Sequence, residues 1–219
     1  MIRAVALLSM VIDHIGLMCF EDIELFRIIG RVAFPVYLYM CVQGYKNTHS
    51  RSRYALRMLL FSVLSAYPCY LAFGNAVNIG VTYLCIIGGC FSIDLINKES
   101  MHKKGLGCLL IILIYVFSII LKGDFPYSWY GLLMGTILYL RDDKKIIITQ
   151  LEMAITTFLY ALLRPEAAIQ LVALPVFFVL PYMKTEWIYG KIKSRYFFYL
   201  FYPMHIIILY WIKYLLIHR

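Results

Sequence analysis

Long apolar runs recur along the whole chain, separated by short loops that hold most of its Lys and Arg. Each run is roughly 16–22 residues, near the helix length that the hydrocarbon core of a bilayer requires. In lipid a backbone must satisfy its own hydrogen bonds, so runs of this length fold as helices. They fall at about 2–20, 28–45, 54–73, 77–97, 105–121, 125–141, 146–163, 167–182 and 196–217. The expected fold is all-α: a polytopic integral membrane bundle of about nine transmembrane helices, one domain over residues 1–219. The sixth and eighth runs are short for a span. Composition agrees, with 63% hydrophobic and 15% charged residues against about 45–50% and about 25% in a soluble domain. The first run has only Arg3 ahead of it and no small-residue cleavage site, so it is expected to stay as the first span. The cysteines (Cys19, Cys41, Cys69, Cys85, Cys90, Cys108) form no CxxC pair and sit mostly inside apolar runs. They read as small apolar residues, with no metal or disulfide framework.

Orientation follows from the basic loops. Arg3, Lys46, Arg51, Arg53, Lys98, Lys103, Lys104, Arg141, Lys144, Lys145, Lys184, Lys191, Lys193 and Arg195 fall on one side, and Arg27, Lys122, Arg164 and Arg219 on the other. That bias expects a cytoplasmic N-terminus and, with an odd number of spans, an outward C-terminus. The net charge of +9 is then topological, and no nucleic-acid partner is implied.

Against this background, ionisable residues inside spans stand out, because each costs about 2.5–3.5 kcal/mol at a helix centre. Asp13 and His14 lie side by side about 16–18 Å from the inner end of the first span, and His205 about 14 Å from the inner end of the last. Two histidines from opposite ends of the chain thus reach a similar depth. They fit either a reaction centre or ion path, or polar contacts that hold helices in register. Arg31 enters the second span from the outer side, four residues after Arg27 and on the same face. It fits a snorkelling side chain, a counter-ion for Asp13 or a clamp for an acceptor's oxyanion. Pro35 is expected to kink the helix nearby. Asn78 and Thr82 share a face near the outer end of the fourth span.

On the inner side, Thr48, Arg51, Arg53 and Arg57 form a basic, hydroxyl-bearing approach to the third span. Such a loop is ordinarily topological, but guanidiniums suit phosphates bidentately, and a phosphorylated cytosolic ligand fits here. Asp94 is within reach of Arg57 if the third and fourth spans are neighbours. There is no Walker loop, no GxGxxG and no HExxH.

Four stretches in order carry a resemblance: Asp13-His14-Ile15-Gly16, then Arg27-Ile28-Ile29-Gly30-Arg31-Val32-Ala33-Phe34-Pro35, then Gln43-Gly44-Tyr45 with Thr48 and Arg51, then Tyr202-Pro203-Met204-His205. Over nearly its full length the chain resembles the TraX family, and the second stretch is the most specific part. TraX proteins are bacterial inner-membrane proteins whose founding members N-acetylate the amino-terminal residue of conjugative pilin. They are similar to membrane acyltransferases that modify surface polysaccharides, although this chain is shorter and lacks their extracellular catalytic domain.

The resemblance implies an acetyl-CoA-dependent acyltransferase acting on an amine or hydroxyl of a peptide, protein or glycan acceptor, in the bacterial cytoplasmic membrane. Arg51, Arg53, Arg57 and Thr48 would hold the phosphates of acetyl-CoA. His14 would act as general base, with Asp13 turned about 100° away from it on the helix and paired with Arg31 or with another helix. His205 or Tyr202 would polarise the thioester carbonyl, or His205 would itself be the base; an acyl-histidine stays open. Arg31, Asn78 and Thr82 would face the acceptor. No metal is expected. Two other classes fit the residues: a proton-coupled transporter using Asp13, His14, Glu152 and His205 as a relay, and a non-catalytic membrane assembly factor.

Overall fold

The computed structural model describes residues 2–20, 22–120, 127–141, 146–182 and 195–217. Among them every regular element is helical. In order these are α1 (Ile2–Cys19), α2 (Glu24–Gly30), α3 (Ala33–Lys46), α4 (Arg51–Phe73), α5 (Ile79–Ile96), α6 (Met101–Ile120), α7 (Ser128–Leu140) and α8 (Ile146–Leu163). A 3-10 segment (Pro165–Ala173), the short α9 (Leu174–Val179), a second 3-10 turn (Leu180–Tyr182) and α10 (Arg195–Ile217) are the remaining described elements. Among the described residues seven helices are long and apolar enough to cross a membrane: α1, α2 and α3 taken together, α4, α5, α6, α8 and the Tyr199–Leu216 part of α10. The chain is therefore a multi-pass membrane protein. The expected sixth and eighth spans are shorter than a full crossing, covered by Ser128–Leu140 and Pro165–Val179. Of the basic residues used for orientation, Lys122, Lys144, Lys145, Lys184, Lys191, Lys193 and Arg219 lie outside the described residues.

α3 is the centre of the bundle and packs against α1, α4, α5, α7 and α9. It buries Phe34, Val36, Leu38, Val42 and Tyr45 almost completely, because apolar residues all round a helix need neighbours all round. α6 lies outermost, on α5 and α7, and exposes Leu109, Ile112, Leu113, Val116 and Ile120. In water such a surface would be a liability; in lipid it is the solvent-matched face.

The break between α2 and α3 has an identifiable cause. Pro35 has no N–H to donate to the carbonyl of Arg31, and its ring crowds that carbonyl. The helix accordingly interrupts at Arg31 and Val32, whose amides fall back on Ile28 (3.2 Å) and Ile29 (3.4 Å) three residues behind them. The kink expected from Pro35 is present.

At one end of the bundle Asp94, near the end of α5, ties four helices. It accepts from the hydroxyls of Tyr45 on α3, at 2.8 Å, and of Tyr139 on α7, and pairs with Arg51 of α4 at 2.7 Å. Lys46 donates to the Leu138 carbonyl at 3.3 Å beside them. Asp94 therefore takes Arg51, the first residue of α4, and not Arg57, whose guanidinium lies over the Tyr54 ring at 5.5 Å, as that of Arg51 lies over Tyr45 at 5.2 Å.

Candidate functional site

The site grows from α1 outward. Ser9, Asp13 and Gly16 of α1 all meet α2. Ser9 donates to the Ile29 carbonyl at 2.6 Å, and a Cβ at Gly16 would overlap Phe26. A Cβ at Gly30 would overlap the Asp13 carboxylate itself. The two glycines of the DHIG and RIIGR stretches thus allow α1 and α2 to touch, and that closeness sets the ion cluster. Asp13 Oδ1 receives Arg31 Nη2 at 2.8 Å and Arg27 Nη1 at 3.2 Å. Arg31 Nε also donates to the Arg27 carbonyl at 3.1 Å, so the four-residue spacing places both guanidiniums on one carboxylate. The pairing of Asp13 with Arg31 is as expected, and Arg27 is added to it. One carboxylate facing two guanidiniums leaves a positive charge on the cavity wall.

His14 points elsewhere on α1 and meets α10. Its Nδ1 lies 2.7 Å from His205 Nε2, joining the two histidines that depth alone had paired. His205 Nδ1 lies 2.9 Å from the Phe201 carbonyl, one turn back along α10. A carbonyl only accepts, so that Nδ1 carries the proton. Neutral His205 then presents Nε2 as an acceptor, and His14 Nδ1–H donates to it. The remaining nitrogen of a neutral His14, Nε2, is left with its lone pair. Pro203, two residues before His205, has no N–H for the Tyr199 carbonyl of α10. Tyr202 stands edge-on to His14, ring centroids 5.8 Å apart, and Phe73 from α4 lies 5.9 Å away. The Tyr202 hydroxyl reaches Cys69 Sγ at 3.7 Å, so it faces α4.

A single cavity of about 1520 Å³ connects these groups, larger than the roughly 300–1,000 Å³ usual for a small-ligand pocket. At one end its lining includes Arg3, Asn47, Thr48, His49 and Arg57, and farther in Met10, Asp13, His14, Tyr202, Arg27 and Arg31. Beyond them come Tyr127, Tyr160, Glu166 and Gln170. His14 lines this space, whereas His205, only 6% exposed, stands behind it.

The expected phosphate-binding group is divided. Arg57 and Thr48 line the cavity, but Arg51 is held by Asp94 and Arg53 is exposed away from the cavity lining. Thr48 Oγ1 also serves the loop, donating to the Ser50 carbonyl at 3.3 Å and accepting from its amide at 3.4 Å. Asn78 lines the cavity, yet its side chain caps α5: it accepts from the Gly80 amide (2.9 Å) and donates to the Ser62 (2.9 Å) and Ala76 (3.1 Å) carbonyls. Asn78 thus stands at the starting end of α5, against the middle of α4. Thr82 is fully buried, packed by its methyl against Gly131 and off the cavity. Glu152 is exposed and off the cavity as well, and Arg164 pairs with Glu166 at 3.6 Å. Arg3, His49, Tyr127 and Gln170 were not singled out from the sequence. Gln170 carries the signal that marked Asp13, a polar residue in an apolar run; Tyr127, in a turn with φ 60°, carries none. No group of three metal-ligating side chains occurs among the described residues.

The relatives of this chain are bacterial. It is 23% identical over 225 aligned positions, 95% of its own length and 92% of the relative's, to the "Probable fimbrial assembly protein FimC, serogroup H1" of Dichelobacter nodosus. It is 26% identical over 91 residues to an uncharacterized protein of Rickettsia prowazekii (strain Madrid E), covering 42% of this chain and 35% of that one. No solved structure matches the chain. The profile of the family described as TraX protein matches residues 1–213, and the chain belongs to the TraX family.

Proposed function

We propose that this protein is a membrane-embedded acyltransferase of the bacterial cytoplasmic membrane, moving an acetyl group from cytosolic acetyl-CoA to an amine or hydroxyl of an acceptor. The observation that carries the reading is the continuous cavity from Arg57, Thr48 and His49 to the open nitrogen of His14 and the Asp13–Arg27–Arg31 cluster. Acetyl-CoA carries its phosphates at one end of a long flexible arm and its thioester at the other. The mouth with Arg3 and Arg57 suits the phosphates, and the thioester comes to rest beside His14. His14 Nε2 then accepts the acceptor's proton as the nitrogen or oxygen lone pair attacks the thioester carbonyl. The new N–C or O–C bond forms, the C–S bond breaks, and the proton on His14 passes to the departing CoA sulfur. Charge developing on the carbonyl oxygen is balanced by the surplus guanidinium of the cluster. His205 holds His14 in the tautomer that leaves Nε2 as the base. The fimbrial-assembly name of the Dichelobacter relative favours a protein acceptor.

Incubating purified protein and labelled acetyl-CoA with native membranes from a strain lacking it tests the reading. Label should pass to an acceptor with wild type and not with His14→Ala at equal folded protein. Absence of both transfer and acetyl-CoA binding by wild type would overturn it. The same relative's name supports a second reading, a non-catalytic assembly factor. Under that reading His14→Ala and His205→Ala lower the melting temperature but leave the cellular phenotype unchanged.

A further inference from the structure

Gln170 lies in the 3-10 segment Pro165–Ala173, which packs on α2 and α8. Nine residues is long for this helix type, since runs beyond 3–4 residues are uncommon. Its three residues per turn align Ala167, Gln170 and Ala173 on one face, where Gln170 and Ala173 are buried and Ala167 and Gln170 line the cavity. Gln170 is 3% exposed. Its side chain lies beside Tyr127, which stacks on Phe34, ring centroids 3.7 Å apart. The Gln170 Oε1 atom has no hydrogen-bond partner among the described residues. A buried amide oxygen without a partner, on a residue that lines the cavity, is an acceptor arranged for a donor that arrives with a ligand. The donor molecule's phosphates belong at the opposite end, by Arg57, so this end falls to the other substrate.

We propose that Gln170 is an acceptor-binding residue: its Oε1 receives an N–H or O–H of the molecule being acylated, beyond the Arg27–Arg31 cluster and within the same cavity. This rests on the acyltransferase reading and adds the side of the site that the second substrate occupies. Free amines, peptide N–H groups and sugar hydroxyls share the chemistry required. Gln170 sets how tightly that molecule binds and leaves acetyl-CoA affinity alone.

The test compares wild type, Gln170→Met and Gln170→Glu, supplying the native membrane fraction of the deletion strain as the acceptor. The membrane fraction is titrated at saturating labelled acetyl-CoA, and acetyl-CoA binding is measured separately by calorimetry. Gln170→Met keeps the side chain's length without the amide, and the apparent KM for the membrane fraction should rise at least tenfold while acetyl-CoA affinity stays within twofold. Gln170→Glu retains an acceptor oxygen and should recover part of that loss, which a packing role would not produce. An unchanged KM in Gln170→Met, or equal loss of acetyl-CoA affinity, overturns the assignment with the acyltransferase reading intact. Failure of wild type to bind acetyl-CoA and to transfer overturns that reading, and this assignment with it. If Gln170→Met does not fold, Gln170→Glu decides alone: a KM raised at least twofold with acetyl-CoA affinity within twofold supports the assignment, and an unchanged KM or a shift in acetyl-CoA affinity overturns it.

Discussion

Asp13 shows how one carboxylate can fix both the packing and the electrostatics of a site. Arg31 is nearly buried while Arg27 is about a third exposed, so the two partners are not equal. Removing the carboxylate leaves Arg31 uncompensated, and Asp13→Ala should cost about 3–5 kcal/mol, the range for breaking a buried pair. Arg27→Ala, losing a partly solvated pair, should cost about 0–1 kcal/mol. Thermal unfolding in detergent separates the two, and equal losses would contradict the asymmetry. At the histidines, His14→Ala should lower the rate of the proposed transfer by about 10²–10⁴-fold, the usual worth of a general base. His205→Ala should lower it less, because the base remains while its tautomer is released. A larger loss at His205 would reverse the assignment. Much of this was legible beforehand. Asp13, His14, Arg31 and His205 are polar residues in apolar runs, and helix spacing alone turns Asp13 from His14 and aligns Arg27 with Arg31. The partners across elements were not legible: Asp94 with Arg51, Asn78 with the Ser62 carbonyl and Gln170 with Tyr127 depend on which helices touch and at what height.

At the scale of elements, the kink before α3 positions the cluster. It aims α2 so that Arg27 and Arg31 meet Asp13, and its cause is the missing amide of Pro35. Pro35→Ala restores a donor for the Arg31 carbonyl and favours a continuous helix through Arg31. Melting temperature should be unchanged or higher, while the rate of the proposed transfer falls; loss of both together would assign Pro35 to packing alone. Gly30→Ala acts on the same joint from the other side. Its added methyl meets the Asp13 carboxylate and should cost about 1–3 kcal/mol through overpacking, read as a lower melting temperature. Runs of apolar residues found the long helices, and Pro35 found the kink. The shortness of α7 and of Pro165–Val179 showed in the sequence only as short runs, since run length alone does not separate a full crossing from a shorter packed helix.

For the whole molecule, the ends of α3, α4, α5 and α7 gathered by Asp94 are the ends that the positive-inside bias puts in the cytoplasm. A cysteine introduced at His49 should be shielded from a membrane-impermeant maleimide added to intact cells, and one at Arg164 should react. The reverse pattern would invert the topology and move the Arg57 mouth to the wrong side for a cytosolic donor. The central claim is that this mouth takes the phosphates of acetyl-CoA while His14 performs separate chemistry deeper in the same cavity. Calorimetry of acetyl-CoA with detergent-purified wild type, Arg57→Ala and His14→Ala tests it most directly. The account predicts saturable binding by wild type, at least tenfold weaker in Arg57→Ala and unchanged within twofold in His14→Ala. No binding by folded wild type, or full affinity in Arg57→Ala, would contradict it.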